Sequence, residues 1–209
     1  SNNKSGYGQG KETDCKNCPL GAVDFNSQYG KYDAYALTND ENRIILTFDQ
    51  GYENGYTAPI LDVLKEKNVK AIFFLTGDYA KKEEDLVRRM VDEGHILGNH
   101  GMSHASMPDL SSESLKEEIM SLHDFVAEKY GYEMQSLALT SELGYKTLMW
   151  SFAYVDWKTD DQPDPSQALE RIVSSAHGGG IYLLHSVSST NAAVLGDAID
   201  GLRAKGFTV

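Results

Sequence analysis

Short apolar runs alternate with amphipathic stretches from residue 44 to the C-terminus, and that alternation leaves few folds open. Residues 44–48, 69–76, 96–98, 146–152, 180–184 and 206–209 read as strands. Residues 57–67, 82–93, 111–130, 167–176 and 191–205 read as helices, with apolar residues at helical spacing such as Leu115, Ile119, Leu122 and Val126. The 69–76 run is almost continuously apolar, as in a parallel sheet covered on both faces. Repeated strand–helix units with short links imply parallel strands wrapped by helices. The polar residues then choose between a barrel and an open sheet. Asp49, His100, Asp156 and His185 each follow a different strand at its C-terminal end. That is the rim pattern of a barrel, whereas an open sheet gathers its ligands at one switch point. The expected fold is an α/β, irregular (β/α) barrel of about seven units.

Residues 1–30 are glycine-rich and lack periodicity, so an extended N-terminal arm is expected against a domain spanning 31–209. One junction breaks the pattern. Residues 131–135 lead straight into 136–143, which reads as a helix, and one strand with its loop has no counterpart. A barrel lacking an interior strand leaves unpaired edges. A segment that this sequence does not contain is therefore expected to belong between Gln135 and Ser136.

Composition narrows the partners. The chain has 209 residues, with 19 Lys+Arg against 31 Asp+Glu and a formal net charge of −12. That balance argues against a nucleic-acid or anionic-membrane partner. No apolar run approaches a transmembrane length, and a monomer is expected. Cys15 and Cys18 have no second pair to complete a zinc site. A small local disulfide or two idle thiols both remain open.

The rim residues suggest chemistry. His100 and His104 are four apart and can reach one metal ion. Two histidines make an incomplete site, so a carboxylate from another strand end would complete it. Asp49 is placed to act as a general base on water, or else caps the following turn. His185 is placed to protonate a leaving amine as general acid, or else is a half-buried strand-end histidine. Asp156-Trp157 pairs a carboxylate with an aromatic wall, which serves either a carbohydrate or core packing. Asp49 and Asp156 could form a glycosidase pair, but the two histidines would then be unexplained. His95, His123 and His177 are assigned to structure.

At these positions the chain resembles the polysaccharide deacetylases, the NodB-homology group or carbohydrate esterase family four. Thr47-Phe48-Asp49-Gln50-Gly51 is similar to that family's Thr-Phe-Asp-Asp-Gly, and His100-Gly101-Met102-Ser103-His104 to its paired-histidine motif. Asp156-Trp157 and Leu183-Leu184-His185 are similar to its last two. Phe48 to Thr57, Val155 to Lys158 and Ile181 to Ser188 resemble most the branch that removes acetyl groups from muramic acid on the way to the delta-lactam of spore cortex. The resemblance implies Asp49 as base, His185 as acid, and His100 and His104 as ligands of a divalent cation, zinc or similar. It also implies Asp156, Trp157 and Tyr52 as residues that bind or orient a peptidoglycan glycan strand. An extracytoplasmic enzyme is implied, secreted or associated with the cell wall or forespore, whose leader is not in this sequence. Alternatives are a deacetylase of N-acetylglucosamine polymers and an impaired glycan-binding barrel. Two features depart from the family. Its second Asp, a metal ligand, is Gln50 here, a poorer ligand that implies weak metal binding; the muramic branch has Asn there. Its Arg-Pro-Pro motif, due before residue 137, has no counterpart.

Overall fold

The computed structural model describes residues 6–134, the backbone of 136–137, and residues 145–209. Its elements run α1 (Leu20–Tyr29), β1 (Ala34–Tyr35), β2 (Ile44–Gln50), α2 (Thr57–Glu66), β3 (Ile72–Leu75), α3 (Gly77–Lys82), α4 (Glu84–Asp92), β4 (Ile96–Asn99), α5 (Ser112–Tyr130), β5 (Ser136–Leu137), β6 (Lys146–Leu148), α6 (Pro165–Ser174), β7 (Gly180–His185) and α7 (Ser189–Ala204). The seven strands form one sheet in the order β1-β6-β5-β4-β3-β2-β7. Every neighbouring pair is parallel.

The pleat of β2 shows how sequence becomes architecture. Ile44, Leu46 and Phe48 alternate with Ile45, Thr47 and Asp49, so the two sets leave opposite faces. The first set joins the core with Ile60, Leu61 and Leu64 of α2 and Val194, Leu195 and Leu202 of α7. Thr47 and Asp49 line a partly open cavity instead.

The sheet's two ends meet without a regular ladder. Past β6, Ser151 N–H and Phe152 N–H donate to Ile181 O of β7 at 2.9 and 3.2 Å, and Leu183 N–H donates to Phe152 O at 2.9 Å. From the other edge, Thr38 N–H donates to Gly179 O at 2.8 Å. The expected irregular barrel is thus an all-parallel sheet curled until backbone bonds join its edges.

Several expected elements change. The expected 82–93 helix is α4, Glu84–Asp92, and a further short helix not expected, α3, precedes it; Glu83, with φ −105 and ψ 49 outside the helical region, parts the two. The final strand at 206–209 reduces to one bridge between Arg43 and Thr208. The arm is not extended throughout, because 20–29 form α1. That helix buries only Ala22, so it carries no apolar stripe that periodicity could detect. Ser136 and Leu137, expected in a helix, are strand, because they pair with β4 on one side and β6 on the other. The strand expected to be missing is therefore represented by two residues. Gln135 and the rest of the expected helix lie outside the described residues. Only residues 138–145 separate β5 from β6. A parallel crossover usually takes a dozen or more.

Candidate active site

Strand ends bring the site together. Asp49 near the end of β2 stands opposite His185 at the end of β7 in the strand register, on one shared face. His100 directly follows β4, and its N–H donates to Leu75 O of β3 at 2.8 Å. His100 Nε2 lies 3.5 Å from Asp49 Oδ2 and 3.1 Å from His104 Nε2. Asp49, His100, His104 and His185 are thus assembled on one rim.

The loop carrying the two histidines is built around Glu118 of α5. Its Oε1 accepts from Ser103 N–H at 2.7 Å and Ala105 N–H at 3.3 Å, and its Oε2 from Ser103 Oγ–H at 2.8 Å. His104 adopts φ 59, in the left-handed region that a non-glycine residue avoids. Gly101 is favoured by its backbone, and a side chain there would press on Glu118. Its φ is +90, and a Cβ there would meet Glu118 Oε1 at 2.7 Å. Sequence reasoning missed Glu118, which has nothing to distinguish it from other polar residues of α5.

On the opposite side, His185 is held by Asp156. Nδ1–H donates to Asp156 Oδ1 at 2.7 Å and the backbone N–H of His185 donates to Oδ2 at 2.9 Å. Asn191 Nδ2 also donates to Oδ2, at 2.6 Å, and its Oδ1 accepts from the Tyr154 hydroxyl. Asp156 is 0% exposed. Its two bonds to His185 fix that ring, so the orienting part expected of Asp156 would run through His185. Trp157 and Tyr52 remain half exposed, and the Trp157 ring stands edge-on to His185 at 5.5 Å.

The two imidazoles have opposite proton affinities. Burial holds His100 below the usual histidine range, and the neighbouring His104 and His185 add to this while Asp49 opposes it. Burial also disfavours the His185 cation, but the hydrogen bond and charge of Asp156, with the charge of Asp49, outweigh it and raise His185. Near neutrality one ring is suited to ligation and the other to donating a proton.

Two imidazoles bound to one ion at about 2.0–2.1 Å keep their nitrogens roughly 3 Å apart. The 3.1 Å pair of His100 and His104 fits that spacing. Gln50, expected as a weak further ligand, leaves β2 on the face opposite Asp49 and is fully buried. Its Nε2 donates to Ser186 Oγ, and its Oε1 has no hydrogen-bond partner. Among the described residues, no group of three His, Cys, Asp or Glu side chains is placed to hold an ion. The other histidines are structural, as expected. His95 Nδ1 accepts from Ala71 N–H, His123 pairs with the Tyr145 hydroxyl, and His177 Nε2 pairs with Ser151 Oγ.

A curled parallel sheet with a carboxylate, two paired imidazoles and a carboxylate-held imidazole on its C-terminal rim defines a hydrolase site. The sequence profile of the family described as Polysaccharide deacetylase matches residues 36–151, and the chain belongs to that family. It is a carbohydrate-esterase-type deacetylase, a hydrolase of non-peptide carbon–nitrogen bonds. It is 41% identical to the peptidoglycan-N-acetylmuramic acid deacetylase PdaA of Bacillus subtilis, over 91% of this chain and 78% of that protein. It is 43% identical to an uncharacterized 30.6 kDa protein of Geobacillus stearothermophilus, over 91% of this chain and 77% of that one. The solved structure of Bacillus subtilis PdaA, a family 4 carbohydrate esterase, superposes with a TM-score of 0.86 at 39% identity, covering 95% of this chain and 91% of that one. Deacetylases of this family are metalloenzymes in general.

Proposed function

We propose that the chain removes the N-acetyl group of N-acetylmuramic acid residues in peptidoglycan, on the way to the muramic delta-lactam of spore cortex, and does so outside the cytoplasm as a monomer. The observation that carries this reading is the placement of Asp49 and His185 on facing strand ends, one a carboxylate and the other an imidazole whose proton affinity Asp156 raises. The 41% identity to PdaA supports the muramic substrate.

His100 and His104 would hold a divalent cation, which supplies Lewis-acid polarisation at the acetamide carbonyl. The remaining steps fall to this chain's own groups. Asp49, beside His100, accepts a proton from the attacking water as its oxygen bonds to the acetyl carbon. His185, fixed through Nδ1 by Asp156, gives the proton on Nε2 to the sugar nitrogen as the carbon–nitrogen bond breaks. The products are acetate and a free amine. That amine lies on the same sugar as the lactyl carboxyl, so intramolecular amide closure is available afterwards. Trp157 and Tyr52 offer exposed aromatic faces to the glycan.

Gln50 favours a second reading, a glycan-binding barrel of impaired chemistry, because its amide is engaged by Ser186 and supplies no ligand to the histidine pair. Acetate release from peptidoglycan separates the two. Activity in the wild type that disappears in Asp49→Asn supports the enzyme. Glycan binding without acetate release from either protein supports the binder.

A further inference from the structure

The chemistry above makes no use of residues 6–10, yet Tyr7 and Gln9 bond to a residue that lines the cavity beside Asp49 and His100. Trp150 lines that cavity with Asp49, His100, Met149 and Leu183. The indole Nε1–H donates to Gln9 Oε1 at 2.9 Å, and Gln9 Nε2 donates to Ala153 O at 3.1 Å. One glutamine therefore grips both ends of the 150–153 segment. The Tyr7 hydroxyl donates to Trp150 O, and the Tyr7 ring stands edge-on to the indole at 5.2 Å. The gripped segment is the one that joins the sheet's edges through Ser151 and Phe152 and runs on to Asp156.

The arm's seat is specific. A Cβ at Gly21, in the first turn of α1, would meet Gly8 O and Gln9 O each at 2.7 Å. Only glycine lets the arm lie this close. Tyr7 also packs edge-on against Phe25 of α1 at 4.9 Å. The arm is thus sandwiched between α1 and the 150–153 segment.

We infer that Gln9 and Tyr7 are positioning residues of the active site, which fix Trp150 as the wall of the cavity beside Asp49 and His100. The inference rests on the deacetylase reading of that site. A half-buried indole N–H seeks a partner, and Gln9 supplies it while clamping the backbone three residues on. Without that pair the indole is free to take other rotamers. Rate is steep in such geometry, with a misplacement of about 1 Å worth up to roughly 100-fold.

The chain has two tryptophans, Trp150 and Trp157, so Trp157→Phe leaves Trp150 as the only indole emitter. Gln9→Leu and Gly21→Ala are compared with the parent in two ways: by emission in the Trp157→Phe background, and by kcat and KM for acetate release with Trp157 intact. The expected result is red-shifted emission and a fall in kcat of about tenfold with KM little changed. Gln9→Glu keeps an acceptor for the indole but loses the donor to Ala153 O, so it should restore the emission more than kcat. Unchanged emission in Gln9→Leu overturns the inference, as does shifted emission with unchanged kcat. A wild type that releases no acetate overturns the deacetylase reading instead, and the emission spectra then decide the arm's hold on Trp150 by themselves.

Discussion

Asp156 and Glu118 act through other side chains, and each can be altered while the reacting groups stay in place. Asp156→Asn keeps an oxygen to accept from His185 Nδ1–H but removes the charge that raises the ring's proton affinity. The acid must be protonated to work, so a raised affinity carries activity to higher pH. Losing it should move the alkaline limb of the kcat/KM profile to lower pH, and an unmoved limb would show that Asp156 does not tune the acid. Glu118→Ala frees three donors of the histidine loop and removes what holds His104 at its unfavourable φ. Zinc titrated calorimetrically should bind about 10- to 100-fold more weakly, as for other losses of groups that orient ligands. Equal affinity would show that the loop orders itself. Asp49, His100, His104 and His185 were legible in the sequence because each sits just past an apolar run. Glu118 and Asn191 were not, since a polar residue on a helix carries no sign of what it reaches across the fold. Asp156 was found as a strand-end carboxylate, but the sequence did not reveal that it is buried under His185 and Asn191.

At the scale of elements, legibility followed apolar periodicity. β2, β3, β7 and α5 combine strong patterns with deep burial and appear close to where the sequence places them. α1 buries one residue and β5 is two residues long, so neither leaves a pattern to read. Pairing on both sides makes β5 a strand despite its helical spacing. His95, just before β4, links element packing to pH. It is buried against Phe73 and accepts from Ala71 N–H. Burial, with the charges of Lys70 and Arg89 and against that of Glu93, lowers it from 6.5 to about 4. Below pH 6.5 the unfolded chain binds this proton and the folded chain does not, so stability falls as pH drops and levels off near 4. The loss attributable to His95 is on the order of 3 kcal/mol. Urea midpoints measured between pH 7 and 4.5 should decline, and less steeply in His95→Gln, which cannot titrate. Parallel declines would assign the effect to other groups.

For the molecule as a whole, the acidic surface, the curled sheet and the arm fit one task. A net charge of −12 disfavours polyanionic partners, and no described helix is long and apolar enough to cross a membrane. The curl brings β2, β4 and β7 to one rim, and the arm holds the segment that joins the sheet's edges. The family was legible from four short motifs; the arm's part in the site was not, because Gln9 and Trp150 lie 141 positions apart. The central claim is that Asp49 and His185 together remove acetyl groups from muramic acid. The direct test is mass spectrometry of muropeptides after treatment of peptidoglycan with the protein and a divalent cation. The account predicts acetyl loss from muramic acid residues that vanishes in both Asp49→Asn and His185→Gln. Loss confined to glucosamine residues, or unchanged in either variant, would contradict it.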